Sequence, residues 1–505
     1  MIKGNVLEIG PDHRLTPEIV SVFSHNPAIK IKLSRRAKEG ILASRKAVEK
    51  MVATDQVVYG ITTGFGNFKN KTISQSDTEE LQKNLIRSHA VGVGEPFSPE
   101  QVRAIMLVRL NSLVQGYSGV RMEFLETFIK IIEKNIIPFV PSQGSVGSSG
   151  DLAPLSHIGL VLMGEGRVFV DGKLVEASLA LKNAGIVPIV YGAKEGLAFN
   201  NGTAAMTGVA ALSFVRAKNL LNIADVGCAL TLEAVCGVSS AFDLRIHDVR
   251  PHSGQRQSAT NIRKLIKGSS LVDSVSDRVQ DSYSLRCTPQ VHGAVRDAVS
   301  YVESVINVEL NSVTDNPIIF EKDEIAISGG NFHGEPIAIA MDTLGIAISE
   351  LANISERRTA KLLDPSTNEG LPAFLVDKTR AGLHSGLMIP QYTSAALVSE
   401  NKVLAHPASV DSVPTSANQE DHVSMGTIAA RKSVKIVENT EYVLAIEFMT
   451  ACQAIDFRDS KKLARHTKSI YDTLRKSVKS VDGDREMHAD IVKIRELIQL
   501  GVDIK

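Results

Sequence analysis

The sequence has no tryptophan, only 5% aromatic residues and four cysteines in 505 residues. Its core must therefore be filled by Leu, Ile, Val and Ala, a composition that suits packed helices. Cys228, Cys236, Cys287 and Cys452 form no CxxC pair. That excludes a zinc ribbon or a disulfide scaffold and fits a reducing compartment. Neither sign of charge dominates, since Lys+Arg and Asp+Glu both count 56. The chain as a whole offers no field to draw nucleic acid or an anionic membrane. Long apolar runs are missing too: the window Gly202 to Val215 meets Arg216 and Lys218 well short of the roughly 20 residues a bilayer span needs. The N-terminal MIKGNVLEIGPDHR lacks the charged-then-apolar layout of a secretion signal. A cytoplasmic protein with no nucleic-acid or membrane partner is expected. Internal repeats, low-complexity tracts and obvious linkers are absent.

What is present is mostly helical spacing. Ser34 is placed to cap a helix that puts Ile41, Val48 and Met51 on one face. Apolar residues recur helically from Pro99 to Asn135, broken at the turn Gln115 to Gly119. Val168-Phe169-Val170, Asp171-Gly172 and Lys173-Leu174-Val175 predict a hairpin with a type I′ turn. A second small ribbon is expected from Pro317 to Ile327. From about residue 196 the helices lengthen, one from near Pro390 to before Pro407 and another after Asp421. The expected fold is mainly α: a long helical bundle, 196–505, preceded by a mixed part, 1–195, the two forming one continuous unit. The basic run Lys461 to Lys479 is either a solvated helix face or a binding surface.

The least ordinary segment is Gly144-Ser145-Val146-Gly147-Ser148-Ser149-Gly150-Asp151-Leu152-Ala153-Pro154. A phosphate cradle would need a Gly-Lys-Ser/Thr ending, and a serine hydrolase a Gly-x-Ser-x-Gly elbow; both strings are missing. A plain turn before a helix stays open. So does a chemical reading, because glycine's amide nitrogen can approach a carbonyl carbon two residues back. Gly150 nitrogen would attack the Ser148 carbonyl, and Ser149 would lose water to leave an exocyclic methylidene. The product is an electrophilic imidazolone built from the chain itself, with no external cofactor and no metal.

This loop resembles the Ala-Ser-Gly loop of the aromatic amino-acid ammonia-lyases, including the Asp-Leu-Ala-Pro-Leu that follows. Tyr59-Gly-Ile-Thr-Thr-Gly-Phe-Gly66, Glu195-Gly-Leu-Ala, Asn201-Gly-Thr203, Val279-Gln-Asp-Ser-Tyr-Ser-Leu-Arg286, Ser328-Gly-Gly-Asn-Phe-His333 and Asn418-Gln-Glu-Asp-His-Val-Ser-Met-Gly426 extend the resemblance over nearly the whole chain. It implies a 4-methylideneimidazol-5-one (MIO) group formed autocatalytically from Ser148, Ser149 and Gly150, and a homotetramer with sites shared between chains. Tyr59 is similar to the family's general base. Arg286 resembles the carboxylate clamp, with Tyr283 and Gln280 on its face if the stretch is helical. Asn201 resembles the residue that hydrogen-bonds the cyclised loop, and Phe332 the aromatic wall beside it. Ser88-His89 and Glu420 are similar to the histidine branch, where His89 and Glu420 would bind the imidazole of L-histidine and ammonium would leave to give urocanate. A phenylalanine or tyrosine lyase and a 2,3-aminomutase are the rivals within this chemistry. A non-catalytic helical binding protein is the rival outside it. The sequence departs from the family's usual pattern at Ser148 (usually Ala), Phe199-Asn200 (usually aliphatic), Ser282 (commonly Pro) and Gly334 (Ala).

Overall fold

In the computed structural model, residues 2–54, 58, 63 and 77–501 are described. The protein is mainly α, as expected, with short strands confined to its first half and one ribbon near residue 320.

Local chemistry sets the element boundaries. Ser34 Oγ accepts from the Ala37 amide at 3.2 Å and opens the helix Arg35–Ala53, which buries Ile41, Val48 and Met51. Ser98 and Gln101 form a reciprocal capping box with Pro99 in the first turn, so the helix Pro99–Leu113 starts sharply. It is buried on nearly every face, and Met122–Glu133 follows after the turn. In the hairpin, Arg167–Val170 pairs with Lys173–Glu176 through Val170 and Lys173. Asp171 and Gly172 have φ of 49° and 75°, the two left-handed positions a type I′ turn requires. The second ribbon pairs Ile318–Phe320 with Ile325–Ile327. Ile319 packs on Ala47, Val48 and Met51, so the ribbon closes one small core against the first long helix.

Beyond residue 200 the long helices among the described residues are Ala204–Ala234, Thr288–Glu309, Glu335–Leu363, Met388–Leu404 and Gly426–Asp456. Among the described residues, Glu335–Leu363, rather than the segment Gly202 to Val215, is long and apolar enough to cross a membrane. Most of its apolar window, 72%, is buried inside the protein, which makes it a core helix. The basic run Lys461 to Lys479 contains the helix Arg465–Ser477, where Lys468 pairs with Asp472 and Arg475 with Asp456.

The chain divides into two compact units, neither continuous in sequence. One comprises Met1–Val215, Glu303–Asp342 and Pro407–Arg431; the other Arg216–Val302, Thr343–His406 and Lys432–Lys505. The boundary expected near residue 195 falls inside the first unit. That unit holds the glycine-rich loop.

Candidate active site

The loop is pressed backbone to backbone against Asn201-Gly202. Gly150 has φ 75°, and a Cβ there would overlap the Gly202 carbonyl, so only glycine fits. The Asp151 amide donates to the Gly202 carbonyl at 2.7 Å, and the Gly202 amide donates to the Ser149 carbonyl at 3.1 Å. Ser148 is buried. From the other side, the Met425 amide donates to the Val146 carbonyl at 2.9 Å and Ser424 Oγ to the Gly147 carbonyl at 3.1 Å.

Asp151 anchors this arrangement. Its Oδ2 accepts from the Met206 amide at 2.8 Å, and its Oδ1 from Ser145 Oγ at 3.2 Å and from Thr427 Oγ1. Complete burial pushes its carboxyl up to about 6, and those hydrogen bonds oppose the rise.

Glu420 reaches the loop directly. Ser149 Oγ donates to Glu420 Oε1 at 3.0 Å, while Thr415 Oγ1 donates to Oε2 at 2.8 Å. Thr415 and Glu420 also pair through their backbones, closing a turn whose Ser416, Ala417 and Asn418 all have positive φ (51°, 53° and 65°). Left-handed non-glycine residues cost about 1–3 kcal/mol each, a strain that marks functional segments. His89 ends the helix Thr78–His89, its Nδ1 3.0 Å from Ser88 Oγ. Burial lowers its pKa, while the Leu85 carbonyl and the charge of Glu420 pull the other way. The ring is accordingly neutral at neutral pH.

Asn201 is buried; its Nδ2 donates to the Asn316 carbonyl at 3.4 Å, and its Oδ1 has no hydrogen-bond partner. Asn316 also holds the segment carrying half-buried Phe332: its Nδ2 donates to Ser328 Oγ at 3.2 Å, and its Oδ1 accepts from the Gly329 amide at 2.8 Å. Asn316 thus links two residues that the resemblance selected, although the sequence reading missed it. A buried charge cluster was missed as well. Lys194 Nζ pairs with Asp315 at 2.5 Å with both side chains fully buried. Arg109 donates to the Ala198 carbonyl, and burial lowers its pKa to about 10 against the pull of Asp315 and Asp151. Glu309 accepts from Thr203 Oγ1, its pKa raised by burial. The available signal was a charge inside an apolar helix, as in Met106-Leu-Val-Arg109-Leu.

Of the expected site residues, Ser148, Ser149, Gly150, Asn201, His89, Phe332 and Glu420 lie in the first unit, and Gln280, Tyr283 and Arg286 in the second. The shared helix face holds only in part. Tyr283–Arg286 is a single helical turn with Arg286 stacked 4.4 Å over the Tyr283 ring, but Gln280 precedes it outside any helix. Ser282, with φ −62° and ψ 159°, is extended and sets the start of the turn. Arg286 Nε is buried without a partner. Tyr59 lies outside the described residues.

The profile of the family described as "Aromatic amino acid lyase" matches residues 15–476. The chain belongs to this family. It is 54% identical to a histidine ammonia-lyase of Alkaliphilus oremlandii over 93% of its own length and 92% of the relative's. Among solved structures, a histidine ammonia-lyase from Trypanosoma cruzi superimposes with a TM-score of 0.91 at 41% identity, covering 98% of this chain and 94% of the other. A tyrosine aminomutase from Streptomyces globisporus does so with a TM-score of 0.90 at 37% identity, covering 98% and 97%.

The departures from the family's usual residues have local explanations. Ser282 keeps a φ close to the one proline fixes, so the backbone survives the exchange. Phe199 is fully buried, edge-on to Phe124 and Phe128, and Asn200 Nδ2 donates to Ser156 Oγ at 3.3 Å. A Cβ on Gly334 would stand 2.5 Å from the Met206 thioether and 2.8 Å from Ser424 Oγ. Glycine at 334 is the counterpart of methionine at 206.

Proposed function

We propose that this chain is a carbon–nitrogen lyase that removes ammonium from L-histidine without oxidation, giving trans-urocanate. The hydrogen bond from Ser149 to Glu420 carries the reading, because it sets a carboxylate beside the residue that would become the electrophile. The names of the relatives support the same substrate.

The residues fit the MIO group. Gly150 has the left-handed backbone and the close approach to Gly202 that only glycine allows, and buried Asn201 Oδ1 is an unspent acceptor next to the loop. Cyclised from Ser148, Ser149 and Gly150, the group supplies an electrophilic methylidene toward the substrate amine. The chain's other residues bind, orient and move protons. Tyr59 takes the β-proton. Arg286 grips the carboxylate through its planar fork, steadied by Tyr283, with Gln280 nearby in sequence. Phe332 walls the site.

Selectivity for the ring comes from two acceptors. Ser88 Oγ donates to the Leu85 carbonyl at 3.2 Å, so its lone pair receives the His89 Nδ1–H and leaves Nε2 as an acceptor. Glu420 supplies the second acceptor as well as a negative charge. An imidazolium offers two N–H donors to match; a phenyl ring offers none to either acceptor. A cytoplasmic homotetramer is the setting this reading implies.

Purified protein mixed with L-histidine should show urocanate absorbance rising with equimolar ammonium, and Ser149→Ala should abolish turnover by more than about a thousandfold while the oligomer stays folded. A cinnamate formed from phenylalanine or tyrosine, with nothing from histidine, would overturn the roles of His89 and Glu420. A β-amino acid in place of urocanate would make the chain an aminomutase, like its Streptomyces neighbour. Full activity in Ser149→Ala would rule out the MIO group.

A further inference from the structure

Beside the segments that carry Phe332 and Glu420 stands a cluster that the lyase reading does not use. His333 follows Phe332, His422 lies two residues beyond Glu420, and Glu335 opens the helix Glu335–Leu363. Each offers one metal-ligating atom, and the three atoms all lie within 4.8 Å of one another. No spacing rule connects these positions in the sequence, which gave no expectation of a metal; the fold alone brings them together.

Two details separate this cluster from a chance group of polar side chains. His333 Nε2 and His422 Nδ1 stand 3.4 Å apart, with ring centroids 5.5 Å apart and planes tilted by 30°. That separation is long for a hydrogen bond. It is close to the spacing of two nitrogens on one tetrahedral ion, about 3.3 Å for metal–nitrogen bonds of about 2.05 Å. The second detail is Glu335, whose Oε2 is buried with no hydrogen-bond partner. An unpaired carboxylate oxygen out of water is costly, and a cation removes the cost.

We propose that His333, Glu335 and His422 form a binding site for one divalent transition-metal ion of the zinc class. Two imidazoles and one carboxylate suit Zn2+, Co2+ or Ni2+ better than Mg2+ or Ca2+, which prefer all-oxygen shells. Three protein ligands leave a fourth position for water. In the free pair, His333 Nδ1 accepts from the Glu335 amide at 3.3 Å, so its proton sits on Nε2. Ligation through Nε2 moves that proton to Nδ1, which gives up its long contact with the Glu335 amide. Because His422 is exposed and the other two residues are half-buried, an ion reaches the site from solvent. Once bound, it ties the segment of Phe332 to the segment of Glu420.

The test is Co2+ binding by untagged full-length protein that has been dialysed against a chelator. The expected result is one Co2+ per chain at micromolar concentration, with the visible absorption of a tetrahedral site. His333→Asn and His422→Asn should each weaken binding by at least about tenfold, and Glu335→Gln by less. Failure of the parent protein to bind one equivalent, or binding by both histidine variants equal to the parent's, overturns the proposal. If His333→Asn does not fold, exposed His422→Asn alone decides, and melting temperature reports that its fold is intact.

Discussion

Two buried charge sites, one in each unit, are satisfied to different degrees: the carboxylates of the helical bundle and the cluster around the glycine-rich loop. In the second unit Glu447 is fully buried and fully paired. Arg358 donates to its Oε1 at 2.5 Å and Oε2 at 2.9 Å, Thr231 to Oε1 at 3.0 Å and Ser355 to Oε2 at 2.6 Å. Asp225 in the same unit has four donors as well: Ser258, His292, Asn261 and Arg296. In the first unit the cluster around the loop leaves Arg109 Nε and Nη1, Asn200 Oδ1 and Asn201 Oδ1 without partners. A buried polar network that is complete specifies a packing. One that is left incomplete beside a strained loop holds capacity for something else, which the lyase reading identifies as the electrophile and its substrate.

This contrast predicts opposite responses to mutation. Glu447→Ala leaves Arg358 charged and buried without its paired carboxylate. It should cost about 3–5 kcal/mol, read as a lower denaturation midpoint or a loss of soluble protein. Should Glu447→Gln instead lower turnover at an unchanged melting temperature, the bundle network would be functional and the contrast would break.

Asp151 gives the next largest effect. Its folded pKa of about 6 lies above its ordinary 3.8, so the native state binds the proton more tightly than the unfolded chain. Stability from this group is present below about pH 4 and is lost as pH rises toward about 6, a change on the order of 3 kcal/mol. Asparagine keeps one acceptor for the Met206 amide, and the Thr427 and Ser145 hydroxyls can turn to receive its N–H groups. Asp151→Asn should therefore flatten the fall in melting temperature between about pH 4 and 6, measured against the parent in the same buffers. An identical slope in both proteins would place the titration elsewhere, on Glu309 for instance.

Much of this was legible in the sequence where the governing interaction is local. Ser34 capping, the Asp171-Gly172 turn and the break at Gln115 to Gly119 each depend on a few neighbouring residues, and each appears as expected. The face shared by Gln280 with Tyr283 failed because three-residue spacing counts only inside a helix, and the helical turn begins only after extended Ser282. Long-range pairs were invisible. Lys194 and Asp315 are separated by 121 residues, and Asn316 serves both Asn201 and the Phe332 segment only because the fold returns there. Motif resemblance named the residues proposed to touch substrate, since chemistry restricts their type; it did not name those that hold them.

The smallest predicted effect concerns such a holding contact. Three glycines converge on one thioether: a Cβ at Gly147, Gly334 or Gly426 would come within 3.4, 2.5 or 2.6 Å of Met206. The Met206 amide is also bound to Asp151, so pushing this side chain disturbs the anchor of the loop. Gly334→Ala restores the residue common in the family, yet here it overfills the space and should cost about 1–3 kcal/mol. Met206→Ala alone opens a cavity and costs stability by a different route. Combined, the two changes relieve each other, so the double variant should be more stable than the sum of the single losses by at least about 0.5 kcal/mol. Denaturation midpoints of the four proteins measure that coupling. Strict additivity would mean that Met206 has room to move aside, and that glycine at 334 answers to something other than the thioether.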